Sequence, residues 1–424
     1  MKKTLFFFFC LPCLLMASEN ICDICAETVT FDGNSLFLDG QIELDHKLGK
    51  IFADKAIFEC LTLDKKNPFS KITLSSRVDF LLQSGASLKS RLAVFDPAES
   101  KLFFDGGSGK IELRDVIDKK NLLFLTAKKA ACDLNMPETF KGLSLEQVLE
   151  ITFEEDILVT YLNNELHADT GSLDLHSYDV KLQHASGFLA SLTKDSDERV
   201  NFIADTLSWE QIGNCLTLGG NVIISKDGFG SIESDKATVW GKKTLKKIML
   251  TGNCRLNFID KTQKKCSTIT CPGQVIMDNE KKEIYTCAEE KILFKDEALS
   301  VLANKAEVSY QIQNGTLQPV GIILQGEVKL ISKTNFGSTS YGFCDKIAYS
   351  PADKNLILYA DENKKVLFWQ DDNSLSICSD EIRITRDKAA KSQEVQSIGN
   401  ARFVFNFEEE NFIHEFIDQF VGQK

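Results

Sequence analysis

The sequence predicts an all-β protein assembled from repeated strand hairpins. Three observations carry this reading. Apolar and polar residues alternate with period two over long stretches, a two-part phrase returns along the chain, and only 7 Pro and 25 Gly are spread over 424 residues. Period-two alternation gives a strand one apolar and one polar face. Self-similarity at a spacing of a few dozen residues marks a stacked repeat.

The first phrase is an alternating run interrupted by Gly and then Asn or an acid. It occurs at residues 216–224, 248–256, 322–330 and 398–403, marked by Gly220, Gly252, Gly326 and Gly399. The second phrase is Asp-Lys between small residues, at 234–240, 344–349 and, in degenerate form, 303–308 and 379–382. Its markers are Asp235, Asn304, Asp345 and Asp380. A clear N-terminal copy couples 38–44 to 52–58, and residues 166–169 and 202–205 fit the second phrase. Gly supplies a positive φ or a bulge, which Asn also tolerates. The Asp-Lys pairs read as solvent-facing charges that blunt the strands. One hairpin cannot bury its apolar face, whereas stacked neighbours can. Residues 60–200 follow the pattern poorly.

The two ends differ from the repeat. Lys2 and Lys3 precede an apolar run over residues 5–16, and Ala17 and Ser18 are small residues suited to cleavage, so 1–18 reads as a secretory signal. That run is too short for an ordinary membrane span. Ser144, Leu145, Glu146 and Gln147 form a capping-box pattern that predicts a brief helix through Glu150. Phe412, Ile413, Phe416, Ile417 and Phe420 share one face of a predicted C-terminal amphipathic helix over 408–421. The domain plan is therefore a signal at 1–18, a first β-repeat region at 19–140, a second and clearer one at 141–405, and the helix within 406–424.

Composition narrows the function. A net charge of −12 and few basic clusters argue against nucleic acid as a partner. Export implies an oxidising compartment, so the 13 cysteines matter. The candidate disulfide cysteines are Cys22 with Cys25, and Cys254 with Cys266 across a hairpin turning at 259–262. No metal set, cofactor motif or catalytic constellation emerges. Asp105-Gly106-Gly107-Ser108-Gly109-Lys110 lacks the spacing and the final Ser or Thr of a phosphate loop and reads as a hairpin turn.

The coupled Gly-Asn-Val and Ala-Asp-Lys-Ala phrases, best seen at 40–58, 220–240 and 252–256, resemble the OstA-like repeat. It is found in the periplasmic lipopolysaccharide-transport proteins LptA and LptC and in the N-terminal domain of LptD. The resemblance implies a twisted, open β-jellyroll whose two sheets enclose an apolar groove for acyl chains. It also implies a periplasmic location, an association with the outer membrane, lipopolysaccharide or its lipid A part as ligand, and edge-to-edge pairing with other Lpt-type proteins or with itself. Candidates for the groove face are Ile42, Leu44, Val222, Ile224, Leu250, Leu256, Val328 and Leu330. Each acyl methylene buried there contributes about 0.8 kcal/mol, so binding needs no catalytic group. The chain departs from the family in its greater length, its many cysteines and its irregular middle. Two rival readings remain: a structural or adhesive envelope protein without a groove, and an enzyme on a β-solenoid scaffold.

Overall fold

A computed structural model describes residues 23–404 apart from 47–48, 61–68, 83–84, 97–98, 100, 118–120, 135–147, 163, 176, 190–199, 211–212, 227–229, 242–244, 261–264, 298, 314–315, 334–338, 354, 371–374 and 388–391. The expected signal, Cys22 and the expected C-terminal helix lie outside the described residues. Every regular element among those described is a β-strand. They fall into two compact units, Met1–Leu189 with Asp205–Leu216, and Ala190–Ala204 with Thr217–Lys424. Residue 140 lies inside the first.

The strands of the first unit are β1 (Asp23–Cys25), β2 (Thr28–Phe31), β3 (Ser35–His46), β4 (Gly49–Cys60), β5 (Phe69–Leu82), β6 (Ser87–Asp96), β7 (Lys101–Asp105), β8 (Ile111–Ile117), β9 (Asn121–Ala127), β10 (Lys129–Leu134), β11 (Val148–Tyr161), β12 (Asn164–Asp174) and β13 (Val180–Leu189). Two more, β14 (Val200–Glu210) and β15 (Cys215–Lys226), are divided between the units. All described ladders are antiparallel, and they form two sheets that share long strands. One sheet runs β2-β3-β4-β5-β6-β7-β10-β11-β12-β13. The other runs β1-β3-β4-β5-β6-β8-β9-β11-β12-β13. Each long strand gives one half to each sheet. The sheets face one another: Phe80 of the second meets Phe104 of the first edge-on, ring centroids 5.3 Å apart.

The second unit repeats this plan with β16 (Gly230–Trp240), β17 (Lys247–Thr251), β18 (Cys254–Asp260), β19 (Lys265–Cys271), β20 (Gln274–Asp278), β21 (Glu283–Cys287), β22 (Ile292–Asp296), β23 (Leu299–Ala303), β24 (Lys305–Gln313), β25 (Thr316–Lys333), β26 (Thr339–Ser350), β27 (Asn355–Tyr359), β28 (Val366–Gln370), β29 (Leu375–Ser379), β30 (Glu381–Asp387), β31 (Ser392–Ile398) and β32 (Arg402–Val404). Its first sheet is β16-β17-β20-β21-β24-β25-β26-β27-β30-β31. Its second is β16-β18-β19-β22-β23-β25-β26-β28-β29-β32. This is the all-β architecture that the repeat predicts, in the jellyroll-like form that the resemblance implies.

Both phrases of the repeat sit where the chain crosses from one sheet to the other. On β3 the register skips a residue between Asp39 and Ile42, and on β25 between Gln325 and Val328. The extra residues are the pairs Gly40-Gln41 and Gly326-Glu327, all at positive φ. Such a bulge bends a strand and sharpens its twist, turning it out of one sheet and into the next. The Asp phrase occupies the adjacent crossing. Asp235 lies against Gly252, Asn304 against Gly326 and Asp380 against Gly399. Asn253 donates from Nδ2 to Asp235 at 3.0 Å, and the Asn400 amide donates to Asp380 at 3.0 Å. The acids thus bind the neighbouring bulge rather than merely facing water. Lined up strand by strand, these crossings form a spine along one side of each sandwich.

Two local expectations are corrected. Val148–Glu150, the end of the expected brief helix, open strand β11, which ladders with β9, β10 and β12; sheet pairing overrides the local capping signal, whose residues 144–147 lie outside the described residues. The Asp105–Lys110 stretch is not a hairpin turn. It carries the chain between sheets, with the Gly106 amide donating to the Lys128 carbonyl at 2.9 Å and Arg91 donating to Ser108 at 3.0 Å.

Candidate functional site

The apolar interior of each sandwich is built by alternation. In the first sheet of the first unit one row of inward-facing positions runs Val29, Leu38, Ala56, Leu74, Ala93, Phe104, Ala130, Phe153, Gly171, Leu182, register partner to register partner. The middle of this row is fully buried. Its N-terminal end is not: Val29 is 55% exposed, and Phe31, two residues on in the same strand, is 61% exposed. The inner face therefore continues to an edge where its side chains meet solvent. β2 is that edge, its described ladder being with β3, and all four of its residues are exposed.

The eight groove candidates are all buried, none more than 8% exposed. They are distributed over both units. Ile42 and Leu44 lie on β3 in the first unit. Val222 and Ile224 are on β15, Leu250 is on β17 and Leu256 on β18, and Val328 and Leu330 are on β25, all in the second unit. Around Leu330 the two sheets are in close contact. A Cβ added to its register partner Gly342 would lie 3.1 Å from Leu330 Cδ2 and 3.0 Å from Leu358 Cδ2 of the opposite sheet.

Most charge lies on the outside and the spine, with Asp115 and Lys226 buried. Partial burial pushes the Asp345 carboxyl up, but hydrogen bonds from the Asp361 amide at 2.9 Å and Lys364 Nζ at 2.6 Å outweigh it and hold the group below its usual range. Lys365 and the Asn400 amide hold Asp380 down in the same way. The lysine of each pair is exposed, so each pair contributes little to stability. Among the described residues no group of three or more His, Cys, Asp or Glu could hold a metal ion, and no helix is long and apolar enough to cross a membrane.

The cysteine register differs from expectation. Cys254 is opposite Cys271, and Cys266 is opposite Ile259. Cys254 points inward and is buried, while Cys266 points outward and is exposed, so the two occupy opposite faces of the hairpin and cannot pair. Cys25 is an exposed free thiol. Burial, reinforced by the Cys271 thiol, pushes Cys254 up to about 12, and burial does the same to Cys344. Thiolate is the reactive form. Iodoacetamide on the folded protein is therefore expected to label Cys25, Cys266 and Cys287, and to spare Cys132, Cys254, Cys271 and Cys344 until denaturant is added. Peptide mass mapping at pH 7 and pH 9 checks this; native labelling of Cys254 would show that the hairpin opens.

No family model matches the chain, and no curated protein matches it. Among solved structures it is similar to the crystal structure of LptH, described as the LptA homologous periplasmic component of the conserved lipopolysaccharide transport device from Pseudomonas aeruginosa. The identity is 11%, the match covers 30% of this chain and 85% of that one, and the TM-score is 0.25.

Proposed function

We propose that the protein is an exported, non-enzymatic carrier or assembly factor of the bacterial envelope that holds the acyl chains of a lipopolysaccharide-type lipid between its sheets. The observation that supports this best is the inner apolar row that runs uninterrupted to an exposed edge at Val29 and Phe31. In the described topology the backbone crosses between sheets at the spine alone, so an acyl chain can enter from the open end without breaking a ladder. Each methylene that replaces water there is worth about 0.8 kcal/mol. Among the described residues the outer edge of β2 has no strand partner, which suits strand addition by a second copy or an Lpt-type partner.

The test is mass spectrometry of lipids retained by the full chain purified from its native envelope in mild detergent. Stoichiometric glycolipid is expected, and it should be lost in Val29→Asp and Phe31→Asp. These side chains are exposed, so the fold should survive, which circular dichroism checks. A lipid-free wild-type protein that also fails to bind added lipid A overturns the reading. It would favour the structural or adhesive alternative, which draws its support from the close packing around Leu330, Gly342 and Leu358. Surface shaving of whole cells with protease separates an adhesive exposed to the medium from a periplasmic protein.

A further inference from the structure

An acid faces inward at the rim of the first sandwich. On β8, Ile111 and Leu113 are fully buried, while Glu112 and Arg114 face out and pair at 2.9 Å. Asp115 is the next residue on the inner face, one position farther from the spine than Leu113, and is 5% exposed. Its register partner is Leu123, which pairs in turn with Tyr161. A carboxyl so placed is costly without a hydrogen-bond donor. The donor comes from the other sheet. Tyr178 lies between β12 and β13, just past the register pair Leu173 and Val180 on the inner face of the first sheet. Its hydroxyl donates to Asp115 Oδ2 at 2.8 Å. The turn aims the ring. The Tyr178 amide donates to the Asp174 carbonyl at 2.8 Å, the Ser177 amide donates to Asp174 Oδ1 at 2.8 Å, and Tyr178 is held at φ +60°, where a bulky residue is seldom found. A tyrosine and an aspartate placed end to end match the ~10 Å between packed sheets.

We propose that Tyr178 and Asp115 form a latch that joins the rims of the two sheets on the side away from the spine, and that its opening gives a second way into the interior of the first sandwich. The spine is held by backbone ladders and bulges, whereas this rim is held by side chains, so the rim opens first. An apolar pair at these positions would seal the rim by packing. A hydrogen-bonded pair can instead separate by exchanging its bond for water, and Tyr178 is only half-buried, so water can reach it. Burial, then the bond to Asp115, pushes the Tyr178 phenol up to about 12, so it stays a donor at any physiological pH. As a way in for acyl chains the latch rests on the carrier reading; as a closure that opens it does not.

Cys132 reports on the latch without any ligand. Its thiol faces the interior, 4% exposed, on the row that runs through Ile151 to Leu173 and Val180. Iodoacetamide labelling of Cys132 in the native full chain should quicken roughly tenfold in Tyr178→Phe, the scale of a lost buried hydrogen bond. Cys254 and Cys344 of the second unit should keep their wild-type rates. The gain should be flat in urea well below the unfolding transition, because local opening exposes little surface. An unchanged Cys132 rate overturns the latch. So does a gain that climbs with urea as steeply as global unfolding, because Tyr178 would then only stabilise the fold. The second arm uses a polyene fatty acid that fluoresces when bound, and its uptake should quicken by a similar factor in Tyr178→Phe. Uptake that ignores the substitution while Cys132 responds overturns entry at this rim. A wild-type protein that binds neither this probe nor lipid A, with Cys132 still responding, overturns the carrier reading and entry with it, and leaves the closure standing.

Discussion

Leu330→Ala is expected to lower the unfolding free energy of the second unit by about 3 kcal/mol, within the 2–5 kcal/mol typical of buried leucines. Leu330 is fully buried, pairs in register with Val301 and Gly342, and shares the space above Gly342 with Leu358 of the facing sheet. Truncation removes three side-chain carbons and leaves a void that both sheets would have to close together to fill. Urea denaturation followed by the fluorescence of Trp240 and Trp369, both in this unit, measures the change. The size of the loss also discriminates between the two functional readings at this position. A side chain that lines an empty groove has few packing partners, so a loss below about 1 kcal/mol would place Leu330 on a groove wall. A loss near 3 kcal/mol makes it core and moves the ligand's entry to the exposed edge at Val29 and Phe31. Added lipid should then restore little of the loss.

The strand content was legible because burial on one face imposes alternation, and residues 216–224 display it in plain form. The glycine phrase was legible as a bulge because positive φ leaves a compositional trace. What acid and glycine do together was not legible, since Asp235 and Gly252 are 17 residues apart and meet only when neighbouring strands align. The apparent irregularity of residues 60–200 has a similar origin. Bulges there use Ser76 and the pair Glu155-Asp156 at positive φ in place of Gly, so the architecture persists while the phrase disappears. The misplaced cysteine pair shows the limit of hairpin counting. Asp260 pairs with Lys265, so the hairpin closes farther along than the alternation suggested, and an odd shift in register exchanges the faces. That exchange moves Cys266 from Cys254's side of the sheet to the solvent.

Gly252→Ala should destabilise the second unit by about 2–5 kcal/mol, the sum of a backbone cost and a steric one. Gly252 has φ +73°, where a Cβ costs roughly 1–2 kcal/mol. That Cβ would also lie on the Asp235 carboxylate and 3.0 Å from Asp235 Cβ, an overpacking of about 1–3 kcal/mol. Two controls separate these costs. Gly33 is at φ +102° with nothing within 4 Å of a Cβ, so Gly33→Ala isolates the backbone part; Gly321 has open space and no positive φ, so Gly321→Ala should be near neutral. Asp235→Ala alone forfeits the hydrogen bond from Asn253, about 0.5–1.5 kcal/mol. In the double variant Gly252→Ala, Asp235→Ala the new methyl no longer meets a carboxylate. Its loss should therefore fall short of the sum of the single losses by about 1 kcal/mol, as expected of residues in contact. Strict additivity in this cycle would mean that the acid does not seat on the glycine, and the coupling of the two phrases would then lose its physical basis. Sub-additivity would make the Asp-over-Gly contact the reason the phrases recur together: one bends the strand, the other holds the bend, and neither is stable at the spine without its neighbour.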